Sequence, residues 1–111
     1  MKVRDTLPPS QTADGPTLAM LRCALGDECP EELYRPLVFL LAQGMSIRGL
    51  ADFLQAALGV NYYDALQHVN GSLSGGDKAL DPKALSEVKS RLVACGYEDW
   101  LQEDEIERPA R

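Results

Sequence analysis

The sequence has no long apolar run, few aromatic residues and only one histidine. Its longest uninterrupted apolar stretch, residues 37–42, is well short of the roughly 18 residues that indicate a membrane span. The basic residues at the start are not followed by an apolar segment, so we expect no signal peptide. The carboxylates are scattered and His68 has no evident catalytic companions. We therefore predict a cytoplasmic protein that is not an enzyme and does not engage a membrane.

The three cysteines, Cys23, Cys29 and Cys95, show no closely paired spacing. Structural zinc sites usually carry their ligands in pairs a few residues apart, so three dispersed cysteines and one histidine do not predict such a site. In the cytosol we expect all three thiols to be reduced and to pack as small apolar side chains. The sequence therefore predicts no metal and no cofactor.

The acidity of the chain is unevenly distributed. The 111 residues carry a formal net charge of −6, which argues against nonspecific binding to nucleic acid or to a membrane surface. Residues 1–44 carry net −2, residues 45–95 are neutral and residues 96–111 carry −4. The global charge therefore says little about which ligands the central segment can bind.

Helical periodicity predicts one all-α domain, a compact bundle of five to six short helices. The clearest apolar stripe runs from Ile47 to Leu58, behind Ser46 as an N-cap. Asn61 is expected to cap the next helix, which Asn70 and Gly71 end before a flexible loop. Pro36 is expected to kink or divide an earlier helix. The predicted organisation is a mobile arm (residues 1–14), a single helical domain (15–105) and a frayed acidic tail (106–111).

Residues 54–61, Leu-Gln-Ala-Ala-Leu-Gly-Val-Asn, together with the capped helices on either side, resemble the turn of lambda-repressor-like helix-turn-helix domains. The similarity covers roughly residues 31–95. It implies a bundle with a helix-turn-helix core, in which Asn61 opens the recognition helix of a dimeric DNA-binding repressor. Under this interpretation the residues that contact DNA are Arg48, Gln67, His68, Asn70 and Lys78.

The candidate recognition helix, residues 61–70, contains no lysine or arginine. Cationic side chains make many of the phosphate contacts in protein–DNA complexes, so we place another hypothesis first. In it the protein is a small non-catalytic regulator that binds a protein, such as an antiactivator or an inhibitor of a transcription factor or nuclease. Phe53 and Tyr63 lie off the predicted buried stripes, so we predict them as the protein-binding residues. A homodimer through the same residues is an open alternative.

Overall fold

The computed structural model describes residues 1–7, 14–75 and 80–107, with side chains described as far as residue 102. Within these residues the chain forms six helices and no strand, which confirms the all-α prediction. The helices, in chain order, are α1 (Gly15–Leu25), α2 (Glu31–Leu41), α3 (Ile47–Leu58), α4 (Tyr62–Gly75), α5 (Pro82–Ala94) and α6 (Tyr97–Glu107). None of the helices in this described part is both long and apolar enough to cross a bilayer.

Local capping chemistry sets where several helices begin. The Ser46 hydroxyl accepts a hydrogen bond from the Gly49 amide at 3.1 Å at the start of α3. The Asp81 carboxylate accepts from the Lys83 amide at 3.2 Å at the start of α5. Each bond satisfies an amide that the helix itself leaves without a partner, so these starting points follow from the sequence.

The core is built where α2, α3 and α5 face their neighbours. Helix α3 packs on α4, α2 packs on α4 and α5, and α1 packs on α5 and α6. The largest side chains that these contacts bury completely are apolar: Leu21, Leu37, Leu41, Leu50, Phe53, Leu54 and Leu92. Burial of such side chains is the main stabilising contribution to a domain of this size.

Helix α4 differs from the prediction, and α2 excludes one of the two alternatives predicted at Pro36. Helix α2 runs through Pro36, which is buried, without dividing into two. Helix α4 continues to Gly75 instead of ending at Asn70 and Gly71. The extension places Ser72 in a buried position, where its hydroxyl donates to the His68 carbonyl at 3.0 Å. The packing of this extra turn therefore overrides the weak helix propensity of the Asn-Gly pair.

Residues 1–7 lie against the helices, which corrects the prediction of a mobile arm for that part of residues 1–14. Val3 is only 2 % exposed and belongs to the core. Its amide donates to the Asp27 carbonyl at 2.9 Å. One well-buried side chain and backbone hydrogen bonds anchor the segment. Its position against the helices therefore leaves no apolar periodicity in the sequence. Residues 8–13 lie outside the described part.

The prediction that all three cysteines are reduced was wrong. Cys23, near the end of α1, and Cys95, which follows α5, form a disulfide. They are 72 positions apart in the sequence and meet because α1 packs on α5. Cys29 is a free and fully buried thiol. Because disulfides are rare in the cytosol, the cysteines no longer support a cytoplasmic location.

Helix α6 closes the domain across α1 and the end of α2. The Tyr97 hydroxyl donates to the Leu40 carbonyl at 2.7 Å in a buried position. The Trp100 indole N–H donates to the Thr17 hydroxyl at 2.9 Å. The helix runs to Glu107, so it includes the first two residues of the predicted frayed tail, and residues 108–111 lie outside the described part.

Candidate functional site

Helices α3 and α4 are joined by a three-residue turn, residues 59–61. Gly59 adopts a left-handed conformation with φ +73°, which a residue with a side chain rarely tolerates. The Asn61 carboxamide oxygen then accepts from the Tyr63 amide at 2.9 Å and caps α4. The end of α3, the turn and the start of α4 are therefore in the places that the local sequence predicts.

Helix α4 is held in the domain by a narrow strip of small side chains. Its buried residues are Ala65, Val69 and Ser72, and they face α2 and α3. Tyr62 and Leu66 are partly buried and pack against the core beside this strip. A large part of its surface is left open to solvent.

The exposed side of α4 carries a continuous stripe of uncharged side chains. Tyr63, Gln67, Asn70 and Ser74 are all exposed and recur at i, i+4, i+7 and i+11, which places them on one helical face. We call these four residues the α4 outer face. The only formal charge between residues 62 and 75 is Asp64. The α4 outer face is therefore a nearly neutral surface on an acidic protein.

Tyr63 is the most prominent apolar group of this face. It is 73 % exposed, more than any other large hydrophobic side chain in the described part of the chain. Its ring packs edge-on against Tyr62, with 5.6 Å between the ring centroids. The Asn61 cap fixes the backbone to which it is attached. The aromatic ring is thus presented to solvent from an ordered helix start.

Phe53, the other predicted protein-binding residue, cannot serve that role. It is fully buried, with 0 % of its side chain exposed. Seven residues of α3 are buried, so neighbouring elements cover more of the helix than the single predicted stripe. Ile47, which the stripe predicted as buried, is 39 % exposed. The assignment of Phe53 to an interface is therefore corrected to a core position.

His68 lies beside the α4 outer face, but its ring already contacts another side chain of the protein. A 2.8 Å hydrogen bond joins its Nδ1 to the Tyr34 hydroxyl, and the two rings pack edge-to-face with centroids 5.3 Å apart. Burial, assisted by the nearby Arg35 charge, lowers the pKa of His68, although Asp64 acts in the opposite direction. Burial also raises the pKa of Tyr34 to about 12. The pair thus links α2 to α4 as two neutral rings near pH 7.

The remaining residues predicted for DNA contact are dispersed over two helices. Gln67 and Asn70 are exposed on the α4 outer face, while Arg48 is exposed in the first turn of α3. Lys78 lies outside the described residues. Among the residues that the structure describes, there is no group of three or more His, Cys, Asp or Glu side chains placed to hold a metal ion.

Comparisons of the chain with family models, curated proteins and solved structures found no match.

Proposed function

We propose that this protein is a small non-catalytic regulator that acts by binding another protein through the α4 outer face. The observation that carries the proposal is the stripe Tyr63–Gln67–Asn70–Ser74, whose four residues are all exposed, and which bears a prominent aromatic ring and contains no charge. The centres of protein–protein interfaces are enriched in tyrosine and depleted of charged residues. The stripe has both properties.

The geometry of α4 also favours binding at a low entropic cost. Its buried side contacts α2 and α3, and its first turn is capped by Asn61. A side chain displayed from such an ordered helix loses less conformational freedom on binding than one displayed from a loop. Tyr63 adds a large contact area with few rotatable bonds, which is the property of residues that dominate binding energies.

The charge distribution indicates how such a regulator would act. The α4 outer face is nearly neutral, whereas the whole chain carries a net charge of −6. An acidic protein is attracted at long range to a basic surface, such as that of a transcription factor or nuclease. The neutral face can then make the close contact. Antiactivators and inhibitors of this kind are the functional class that we propose. The alternative is that a second copy of the chain binds the same face and forms a homodimer.

The proposal can be tested by placing a photo-crosslinking phenylalanine analogue at position 63 in the native cell. The matched control is the same analogue at Val93, which is 40 % exposed on α5. The protein captured only from position 63 is then purified and titrated against the wild type, Tyr63→Ala and Val93→Ala. We expect Tyr63→Ala to weaken binding by about 30-fold or more, as for an interface hot spot. Equal affinities of the two variants would refute the assignment.

A second candidate function is a DNA-binding repressor of the lambda-repressor-like type. The observation that favours it is the α3–turn–α4 unit, whose second helix exposes Gln67 and Asn70. Glutamine and asparagine can form paired hydrogen bonds with adenine in the major groove. Exposed Arg48 supplies a cation for phosphate contact. The test is fluorescence anisotropy with duplex DNA from the region upstream of the protein's own gene, at low and high salt. Binding that weakens with salt and with Gln67→Ala supports this candidate, and no binding at low salt refutes it.

A further inference from the structure

The disulfide between Cys23 and Cys95 is accessible to solvent on one side. Cys23 lies in the last turn of α1 and its side chain is exposed. Cys95 directly follows α5 and is half-buried. Thiol–disulfide exchange requires an attacking thiolate to reach a sulfur atom. The exposed position of Cys23 provides that access in the folded protein.

Cys95 borders a cavity of about 320 Å³ at the corner where α1, α5 and α6 meet. Met20 and Trp100 also line this cavity. Cys95 therefore has open space beside it. Separation of the two sulfurs can be accommodated without pushing into a close-packed core.

Other contacts hold α1 in place independently of the disulfide. Leu18 and Leu21 are buried in the core, and Thr17 accepts the hydrogen bond from Trp100. The Arg22 guanidinium donates to the Val3 carbonyl at 3.2 Å. Thr17, Leu18, Leu21 and Arg22 all precede Cys23 along α1. Opening the disulfide thus removes the covalent link between the end of α1 and the α5–α6 junction, while the core contacts of α1 persist.

We propose that Cys23–Cys95 is a thiol-exchange site that a dithiol reductant opens in the folded protein, making the α1–α5–α6 corner sensitive to redox conditions. One thiolate of the dithiol attacks Cys23 Sγ, the disulfide breaks, and its electron pair leaves on Cys95 Sγ, which takes up a proton. The second thiolate of the reductant then attacks the other reductant sulfur, which is bonded to Cys23 Sγ in the mixed disulfide. Cys23 leaves as a thiolate and is protonated, and the reductant becomes a cyclic disulfide.

Cys29 does not take part in this exchange. It is completely buried, and its thiol lies 3.6 Å from the Pro30 carbonyl, to which it donates. Burial raises the pKa of this thiol, which further lowers the fraction of reactive thiolate. The exchange therefore involves two of the three cysteines and does not scramble the pairing.

The redox site is spatially separate from the α4 outer face. Helix α4 packs mainly on α3 and α2, whereas the disulfide joins α1 to the end of α5. Reduction is expected to leave partner binding through Tyr63 unchanged. The redox proposal and the proposed function can therefore fail independently.

To test this, the purified full chain is treated with dithiothreitol under native conditions and its thiols are alkylated with a maleimide. Intact-protein mass spectrometry then counts the alkylated cysteines. We expect two alkylated cysteines in the native protein, with Cys29 modified only in denaturant. The helical signal in far-UV circular dichroism should be retained. The emission of Trp100, which shares the cavity with Cys95, should change. The Cys23→Ser/Cys95→Ser variant should show the same emission without reductant.

The rate of reduction separates local opening from global unfolding. If reduction required global unfolding, it would run at least about a thousandfold slower in the native protein than in denaturant, since folded molecules exceed unfolded ones by at least that ratio in typical small domains. We expect the disulfide to be reduced less than about a thousandfold more slowly in the native protein than in denaturant. The proposal is refuted by slowing of that size, by simultaneous alkylation of all three cysteines with loss of the helical signal, or by free Cys23 and Cys95 thiols in the untreated protein.

Discussion

The contact between Gly44 and Trp100 gives the most direct test of how α6 is packed. Gly44 is buried in the turn after α2, beneath the ring of Trp100. A Cβ atom at this position would lie 2.7 Å from Trp100 Cζ3 and 3.0 Å from Leu101 Cδ2. The φ of Gly44 is not positive, so an alanine there meets no backbone penalty. The substitution Gly44→Ala therefore measures the side-chain clash alone.

The expected size of this effect follows from two opposing terms. Overpacking a well-filled site costs about 1–3 kcal/mol. Replacing glycine by alanine returns about 0.4–1 kcal/mol by restricting the unfolded chain. The net destabilisation is thus about 0–2.6 kcal/mol, with a central value of about 1.3 kcal/mol. With an unfolding entropy of about 2.1 cal/mol/K per residue over 111 residues, the central value lowers Tm by about 6 °C.

Thermal unfolding followed by circular dichroism measures the change, and Gly71→Ala is the matched control. Gly71 lies within α4 and is exposed, and a Cβ there would meet nothing within 4 Å. Alanine at this helical position should raise stability by about 0.5–1 kcal/mol and Tm by about 2–4 °C. The same chemical change should therefore have opposite signs at the two glycines.

A rise in Tm for Gly44→Ala similar to that for Gly71→Ala would refute the packing of α6 against this turn. The double variant Gly44→Ala/Trp100→Leu gives a second check, since the smaller side chain removes the ring that the new Cβ would meet. In the Trp100→Leu background, Gly44→Ala should cost at least about 1 kcal/mol less than in the wild type. Additive effects would show that the two residues do not touch.

Three further substitutions test other parts of the domain by urea unfolding. Tyr97→Phe removes the buried hydrogen bond to the Leu40 carbonyl and should cost about 1–2 kcal/mol, and an unchanged midpoint would contradict that bond. Ser46→Ala removes the cap of α3 and should cost about 1 kcal/mol, whereas exposed Ser86→Ala should change stability little. The pKa of His68 is lowered in the folded state, so protonation favours unfolding. Its contribution to stability is present above about pH 6.5 and is lost as the pH falls below that value, and His68→Gln should flatten this dependence.

The local sequence was sufficient to predict the turn between α3 and α4 and the starts of both helices. Ser46 and Asn61 each cap a helix as expected, because a cap depends on residues only two or three positions apart. The exposure of Tyr63 could also be predicted, because the buried strip of α4 repeats at helical spacing and Tyr63 falls outside it. These features need no knowledge of distant parts of the chain.

The burial of Phe53 could not be predicted in the same way. Periodicity shows which side of a helix is most apolar, but it does not show how many neighbours surround that helix. Helix α3 has seven buried residues, so the packed surface extends beyond its predicted stripe. The missed signal was Phe53 itself, a large apolar residue that is more often buried than exposed.

The sequence by itself determined the helical class of this protein, the capped turn between α3 and α4, and the charge-poor stripe that begins at Tyr63. Only the tertiary structure decided that Val3 enters the core and that Cys23 meets Cys95 across 72 residues. The physical reason is the range of the interactions. Caps and helical faces arise from neighbours along the chain, whereas a disulfide and a buried terminal segment exist only once the helices have packed against one another.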